Sequence, residues 1–288
     1  MNLINALKDA GFSRIIILDA SECGVEEAGS VLLGIWPYQA ELPDEQGAWI
    51  HPYYHASQKA YMAAAAIARS FAEEGIQLRD DIRVKPIFAR LPGFSQGQNT
   101  LSYTQEYGSR FHVQIFTSMT PLPATHHLEA NEHDLHCHGC RNCIEACPTN
   151  ALEGGRFHRE RCLRNWMLNG QSAPDFIREH MSNMLIGCDV CQRVCPHNAP
   201  PVSASTSGLP LSSMLAQPKE TALELRSVLG ANLAIPNRLL AQACLIAGNS
   251  DDPALIQFLR PLCSHPSPTV ADHAKWAVQR LTRVHHDA

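Results

Sequence analysis

The pattern of apolar and polar positions changes character twice along the chain. Up to about residue 125, short β-branched runs alternate with helical segments, which predicts an α/β layer. In Arg110–Thr117 apolar and polar residues alternate, as in a strand with one buried face. The other predicted elements of this part are helices at Asn2–Gly11 and Tyr54–Gly75 and extended segments at Arg14–Asp19, Ser30–Tyr38 and Val84–Phe88.

The rest of the chain consists of a thiol-rich part and a helical part. Pro121–Glu132 is a polar connector, and residues 133–198 contain few long apolar runs. Asn198–Pro210 has the Pro, Ser and Ala content of a linker. Amphipathic segments then follow in a helix–turn–helix rhythm of HEAT-like type at Asn237–Ala247, Pro253–Cys263 and Pro268–Val284.

Composition and charge exclude several classes of protein. The chain has 288 residues, of which 45% are apolar and 18% are charged, so it is not a largely disordered protein. Its net charge of −5 provides no global attraction to nucleic acid or to anionic membranes. The first residues lack the pattern of a signal peptide, and the longest apolar stretches are far too short to span a bilayer. We expect a soluble protein of the cytoplasm that acts as a monomer and has no membrane partner.

The cysteines are concentrated in one part of the chain. Eight of the 11 lie between Cys137 and Cys195. A cytosolic chain keeps its thiols reduced, and disulfides would not bunch in this way, so these eight indicate bound metal. Cys244 and Cys263 lie on apolar helix faces and are interpreted as core residues, and Cys23 as an inert thiol near the end of a strand.

The spacing of the eight cysteines is typical of two [4Fe–4S] clusters. Cys137-x2-Cys140-x2-Cys143-x3-Cys147-Pro148 has the spacing of bacterial ferredoxins, in which three thiolates bind one cubane and the fourth binds another. The second run, Cys188-x2-Cys191-x3-Cys195-Pro196, needs one more thiol, and we assign this role to Cys162, 26 positions upstream of Cys188. The predicted ligands are Cys137, Cys140, Cys143 and Cys195 for the first cluster and Cys147, Cys162, Cys188 and Cys191 for the second.

Structural zinc is the alternative for these cysteines, because two Cys-x2-Cys pairs also suit tetrahedral sites. The two Cys-Pro endings with x3 spacing favour clusters. His136 and His138 are interspersed with the ligands, but the cysteines already satisfy both clusters, so we interpret both histidines as solvated or hydrogen-bonded.

These patterns predict an α+β protein with three domains. The first is an N-terminal α/β layer domain at residues 1–125. The second is a ferredoxin-like double-cluster module at 126–200. The third, at 201–288, consists of the C-terminal HEAT-like helices.

The thiol-rich part resembles that of the epoxyqueuosine reductases, cobalamin-dependent enzymes of the final step of queuosine synthesis in tRNA. The resemblance is carried by Gly187-Cys188-Asp189-x-Cys191-Gln192-x-x-Cys195-Pro196-x-Asn198 and by the isolated Arg161-Cys162. Further segments similar to the family are Tyr54-His55 at a helix start, Gly97-Gln98-Asn99-Thr100-Leu101, Gly108-Ser109, and Pro268-x-Val270-x-x-His273-Ala274-x-Trp276-Ala277.

The resemblance implies an oxidoreductase that passes electrons through two [4Fe–4S] clusters to a corrinoid and substrate site. It also implies cobalamin as a cofactor, tRNA as the substrate and an electron donor of flavodoxin or ferredoxin type. The chain departs from the family in being shorter at its N-terminus, where we expect part of the cobalamin-binding domain to be absent.

A second departure concerns the catalytic residue. The family has a strand that ends in a catalytic Asp and is followed by a helix, and this segment corresponds to residues 84–92, where Ala89 stands near the position of the acid. Alanine cannot donate a proton, so we expect the general acid to be absent there. Asp80 and Asp81 are interpreted as solvated turn residues. Tyr54 and His55 are the candidate catalytic residues in its place, ahead of Tyr53.

Three functions are therefore compared. The first is an epoxyqueuosine reductase-like enzyme, and the second is an electron-transfer or corrinoid-reducing iron–sulfur protein without tRNA activity. The third is a nucleic-acid binding module with structural clusters. After residue 200 the chain has seven Lys and Arg against six Asp and Glu, with no basic stripe, so charge supports neither the third function nor tRNA binding.

Overall fold

The computed structural model describes residues 2–42, 47–130, 137, 139–203 and 208–284. Its strands are β1 (Arg14–Asp19), β2 (Ser30–Pro37), β3 (Glu41–Leu42), β4 (Trp49–Ile50), β5 (Ile76–Arg79), β6 (Phe94–Gln96), β7 (Ser102–Thr104), β8 (Phe111–Ser118), β9 (Met184–Ile186) and β10 (Val202–Ser203). Its α-helices are α1 (Leu3–Asp9), α2 (Pro52–Ser70), α3 (Val84–Phe88), α4 (Asn142–Glu145), α5 (Leu163–Asn169), α6 (Asp175–Arg178), α7 (Val190–Arg193), α8 (Leu211–Ala216), α9 (Pro218–Glu224), α10 (Arg226–Leu229), α11 (Pro236–Gly248), α12 (Ile256–Leu262) and α13 (Pro268–Val284). Short 3-10 turns lie at Glu153–Gly155, Arg159–Arg161 and Pro253–Leu255.

The chain folds into two compact units, each built from three stretches of sequence. The first unit consists of Met1–Gln39, His55–Cys143 and Gln192–Pro200. The second unit consists of Ala40–Tyr54, Ile144–Cys191 and Pro201–Ala288. The mixture of helices and strands confirms the predicted α+β class. The domain limits at residues 125 and 200 stay predictions.

The first unit is built on a four-stranded antiparallel sheet with the strand order β1-β2-β8-β5. Successive residues of each strand face opposite sides, as the pleat requires. Ile17, Leu32 and Phe116 pack with apolar residues of α1 and α2, whereas the adjacent Ile16 and Leu33 pack on the other side with α3. The sheet is therefore buried on both faces. The expectation that Arg110–Thr117 has one buried face is wrong, because α3 and the segment after it cover the second face.

The segment Val84–Phe88 is a helix, so the prediction that it is extended is wrong. Its β-branched residues favoured a strand, but Val84, Ile87 and Phe88 are spaced i, i+3, i+4 and lie together on the side of the helix that packs against the sheet. Pro86 lies in the first turn, where a missing N–H costs no helical hydrogen bond. Tertiary packing thus decides the conformation of this segment.

The second unit is built around the C-terminal helices. The segments predicted at 237–247 and 268–284 are helices in α11 and α13, and Pro253–Cys263 becomes a 3-10 turn followed by α12. Cys244 is fully buried in their common core and Cys263 packs against it, which confirms the interpretation of both as core residues. Two short parallel strand pairs, β4 with β9 and β3 with β10, also belong to this unit.

Parts of some predicted segments lie outside the described residues. These parts are residues 131 and 132 of the connector, residues 204–207 of the linker, and His136 and His138. Within the ranges that the structure describes, no helix is both long and apolar enough to cross a membrane.

Candidate metal centres

The structure brings four of the predicted ligands together in the first unit. Cys137, Cys140, Cys143 and Cys195 line one cavity of about 40 Å³. Burial raises the pKa of the Cys143 thiol, and the neighbouring thiols of Cys195, Cys137 and Cys140 raise it further. These four cysteines, which the sequence predicted as the ligands of the first cluster, are called the first cysteine set below.

A tight turn places a polar side chain against the first cysteine set. The strands β6 and β7 form a hairpin, and the Gly97 N–H donates to the Leu101 carbonyl to close the turn between them. The side-chain amide of Gln98, in this turn, donates to the Cys137 carbonyl at 3.1 Å. The segment that resembles the family in sequence thus has a structural task, which is to hold the loop that contains Cys137.

A second contact fixes the segment that follows Cys195. The Asn198 side chain accepts a hydrogen bond from the Ser109 N–H at 2.7 Å and donates to the Gln192 carbonyl at 2.7 Å. The Gln192 side chain donates to the Ser109 carbonyl at 3.0 Å. A Cβ at Gly108 would lie 2.1 Å from Asn198 Oδ1, so only glycine allows this approach. Sequence analysis identified these residues as similar to the family but missed that they form one network.

The other four predicted ligands lie in the second unit. Burial raises the pKa of the Cys188 thiol to about 11, and the thiols of Cys162 and Cys147 are close enough to raise it further. Cys191 lies in α7, three positions after Cys188. The Cys147 thiol accepts a hydrogen bond from the Ala151 N–H at 3.3 Å. Cys147, Cys162, Cys188 and Cys191 are called the second cysteine set below.

The strand β9 leads into Cys188 through a glycine that the packing requires. Gly187 has φ +100, and a Cβ there would lie 2.4 Å from the Cβ of the buried His51 and 3.0 Å from the Tyr54 ring. The β4 segment is held on the same strand, because the His51 N–H donates to the Ile186 carbonyl at 3.0 Å. The backbone can therefore turn toward the second cysteine set only if this position lacks a side chain.

An arginine and a tyrosine flank Cys162. Arg164 Nε donates to the Tyr54 hydroxyl at 3.1 Å, and its guanidinium lies over the Tyr53 and Tyr54 rings. Burial raises the pKa of Tyr54, and the Cys162 thiol is among the charges that act on it. Tyr54 is therefore buried next to the second cysteine set. His55 lies on the exposed side of α2, and its role as a catalytic candidate stays a prediction.

Across the described part of the chain, no three His, Cys, Asp or Glu side chains lie close enough together to hold a single metal ion. In a tetrahedral zinc site, four sulfurs about 2.3 Å from one ion are required. In a [4Fe–4S] cluster each thiolate binds a different iron, so the four sulfurs surround a volume instead. The cavity lined by the first cysteine set is such a volume, and its donor set fits a cluster.

The region around Ala89 differs from the expectation. Ala89 follows the helix α3 as its C-terminal cap, so it does not end a strand. A strand that leads to acidic residues and then to a helix is found earlier, where β5 is followed by Asp80 and Asp81 and then by α3. Asp81 accepts two hydrogen bonds from the Arg79 guanidinium, at 2.8 and 2.6 Å, which hold the pKa of its carboxyl at about 2. Asp80 is exposed beside it.

Comparison with known proteins gives a consistent result. A family model described as a 4Fe-4S double cluster binding domain matches residues 136–198, which contain both cysteine sets. The epoxyqueuosine reductase of Lactococcus garvieae is 25% identical over 293 residues, which cover 91% of this chain and 81% of that protein. The epoxyqueuosine reductase of Listeria monocytogenes is 38% identical over 104 residues, but these cover only 36% of this chain and 26% of the relative.

A solved structure of an epoxyqueuosine reductase with an epoxyqueuosine-modified tRNA stem loop has the same fold. It superimposes with a TM-score of 0.73 at 19% identity and covers 97% of this chain and 89% of that one. The family model favours iron–sulfur clusters over zinc for the eight cysteines. The chain is therefore similar in sequence and in fold to the epoxyqueuosine reductases, and its residues 136–198 match a double [4Fe–4S] cluster binding domain.

Proposed function

We propose that the protein is an oxidoreductase that reduces epoxyqueuosine in tRNA with electrons delivered through two [4Fe–4S] clusters. The observation that carries this proposal is the separation of eight cysteines into two sets of four, each gathered in one unit. Relatives with the name epoxyqueuosine reductase and a neighbour bound to a modified tRNA stem loop support the choice of substrate.

The number of redox centres matches the reaction. Removal of an epoxide oxygen as water consumes two electrons and two protons. Each [4Fe–4S] cluster exchanges one electron when bound, so two clusters supply the pair. The cysteines hold these clusters, and the hydrogen bonds from Gln98 and Asn198 fix two of the loops that present them.

The reaction also needs a proton donor, and we propose Asp80 for this role. The elements β5, Asp80-Asp81 and α3 follow one another in the order strand, acid and helix that the resemblance implies, and this order supports the proposal. Asp81 is bound by Arg79, and its low pKa keeps the carboxyl deprotonated near neutral pH, so it has no proton to donate. Asp80 is exposed and is the better candidate of the two. Tyr54 is less suited than the sequence suggested, because its hydroxyl is buried against Arg164.

The cobalamin part of the proposal rests on the resemblance alone. In the first unit a cleft of about 400 Å³ lies beside α3, lined by charged side chains that include Arg79, Asp81 and Arg90. This volume suits a drug-sized molecule, so the cleft gives the cobalamin part of the proposal no support of its own.

Anaerobic turnover of epoxyqueuosine-containing tRNA with a strong low-potential reductant tests the proposal. The unmodified protein should convert the substrate, and Asp80→Asn should slow conversion about 10²–10⁴-fold, the typical contribution of a positioned general acid. Ala89→Asp should leave the rate unchanged, because residue 89 follows a helix and not the strand. A rate that rises in Ala89→Asp and is unaffected in Asp80→Asn would reverse the assignment.

The second candidate is an electron-transfer or corrinoid-reducing protein without tRNA activity. The net charge of −5 and the balanced charges after residue 200 favour it, because tRNA binding depends strongly on basic side chains. Loss of tRNA turnover in a protein with full iron content would favour this candidate. A visible spectrum recorded after addition of cobalamin would then distinguish a corrinoid-binding protein from a simple electron carrier.

A further inference from the structure

A buried tyrosine hydroxyl faces the first cysteine set. Tyr103 lies in β7, is 6% exposed, and lines the same cavity as the four thiols. Its hydroxyl lies beside the side chains of Cys137 and Ser95. Within the described residues, however, it makes no hydrogen bond of acceptable geometry. A buried hydroxyl in this state destabilises the fold unless a bound group provides the acceptor.

Two contacts hold the Tyr103 ring in this orientation. On one side the ring stacks on the imidazole of His197, with the ring centroids 4.4 Å apart and the planes inclined by 25°. In the hairpin, Tyr103 pairs with Ser95 of β6. The Tyr103 side chain has only two rotatable bonds, and these two contacts restrict their rotation.

Sulfur atoms are the acceptors that a bound cluster would bring to this position. The thiolate of Cys137 and the adjacent sulfides carry negative charge, and this charge increases when the cluster takes up an electron. A hydrogen bond to the sulfurs therefore stabilises the reduced state more than the oxidised state and raises the reduction potential.

We infer that the Tyr103 hydroxyl donates a hydrogen bond to the sulfur of the first centre and raises its reduction potential. The inference rests on the proposed function, because it requires a [4Fe–4S] cluster held by the first cysteine set. At the second cysteine set the Tyr54 hydroxyl accepts a hydrogen bond from Arg164, so its surroundings differ from those of Tyr103. Tyr103 is thus a positioning and tuning residue that acts on one centre of the two.

Redox titration of the cluster-loaded protein, followed by electron paramagnetic resonance, tests this role. Tyr103→Phe removes only the hydroxyl and keeps the ring stacked on His197. We expect the midpoint potential of the first centre to become more negative by about 59 mV, which is a tenfold change in the one-electron equilibrium constant. The signal that persists in Cys162→Ala identifies the first centre. The midpoint of the second centre should not change.

Tyr107→Phe is the matched control. Tyr107 belongs to the same unit, but its hydroxyl lies beside Ser13 and it does not line the cavity of the first cysteine set. Both midpoint potentials should be unchanged in this variant. Equal midpoints in Tyr103→Phe and the unmodified protein, at full iron content, would overturn the inference and leave the proposed function intact.

A second measurement observes the hydrogen bond itself. After exchange into D₂O, electron–nuclear double resonance of the reduced first centre should show a coupled deuteron that Tyr103→Phe lacks and Tyr107→Phe retains. Persistence of the same coupling in Tyr103→Phe would overturn the inference. A protein without iron–sulfur signals would overturn the proposed function as well, so the two failures are distinguishable.

Discussion

At the scale of single residues, the position of the Cys162 thiol decides whether the second cysteine set has four ligands. In sequence it is isolated from the other cysteines, and an ordinary ferredoxin motif would not include it. In the structure it caps α5 and lies near Cys188, as Cys147 also does. Its proposed role is to complete the second cysteine set. None of the three cysteines outside the two sets can replace it, because Cys244 and Cys263 are in the helical core and Cys23 belongs to the first unit.

Cys162→Ala should therefore remove or degrade one cluster and leave the other. We expect about half of the iron and one of the two redox transitions to remain after anaerobic purification. Cys263→Ala, which removes a thiol that packs against the helical core, is the control and should keep all the iron. If Cys162→Ala retains full iron and both transitions, the assignment of the second set is wrong.

A buried histidine makes stability depend on pH. The Ala173 N–H donates to His273 Nε2 at 3.0 Å, so Nδ1 carries the proton and donates to the Ala241 carbonyl, also at 3.0 Å. Burial lowers the pKa of His273 to about 4. Between this value and about 6.5, the pKa of an unfolded histidine, the unfolded chain binds more protons than the folded chain. The free energy of unfolding must then fall as the pH is lowered through this range.

From pH 7 to pH 5.5 this residue should reduce the free energy of unfolding by roughly 1 kcal/mol. His273→Gln is expected to be less stable at pH 7 but to lose that part of the pH dependence, as measured by urea unfolding at the two pH values. His180→Gln changes an exposed histidine of the same unit and serves as the control. An unchanged pH dependence in His273→Gln would contradict the assignment of the neutral form.

At the scale of elements, the turns next to the cysteine sets require particular residues, as the cysteine sets themselves do. The lack of a side chain at Gly187 allows the backbone after β9 to contact His51, directly before Cys188. The turn at Gly108 allows Asn198 to approach Ser109. Each glycine combines a positive φ with a close contact, so a side chain would both strain the backbone and displace a neighbour.

Gly187→Ala should lower both stability and iron content. The new Cβ would be 2.4 Å from that of His51, and strain at this φ adds about 1–2 kcal/mol, so we expect loss of the second cluster. Gly170→Ala is a matched control, because Gly170 has φ +71 but no atom within 4 Å of the place that a Cβ would occupy. This control should lose about 1 kcal/mol of stability and no iron. Equal iron loss in the two variants would show that backbone strain alone is responsible.

The elements also show what sequence reasoning can and cannot achieve. The helices of the C-terminal part and the strands β1, β2 and β8 were predictable, because their apolar periodicity is long and regular. The helix α3 was not, because five residues with a proline carry too little periodic signal to outweigh the β-branched side chains. The expectation that Ala89 follows a strand depended on this misassigned segment. The cysteine sets followed from spacing, whereas the Tyr103 hydroxyl and the Asn198 network depend on tertiary contacts between distant segments.

At the scale of the whole molecule, the metal content is the most direct check. Two complete [4Fe–4S] clusters require about eight iron and eight sulfide per chain in anaerobically purified protein. Stoichiometric zinc with little iron would show that the eight cysteines form structural zinc sites. Dialysis against a strong iron chelator under reducing conditions should remove the visible absorption of the clusters in parallel with the iron.

The wide separation of Cys143 and Cys195 in the chain affects how the protein is made. The first cysteine set joins three thiols near residue 140 to a fourth that is 52 positions beyond Cys143. At the usual rate of translation, the fourth thiol is added roughly 3–10 s after the third. The nascent chain therefore exposes three reactive thiols before the set can close. A cluster held by the proposed first set would cross-link this loop, and a cross-link of that length restricts the unfolded chain by about 4 kcal/mol in the loop-closure treatment used for disulfides. Delivery of iron would then contribute directly to the stability of the folded chain.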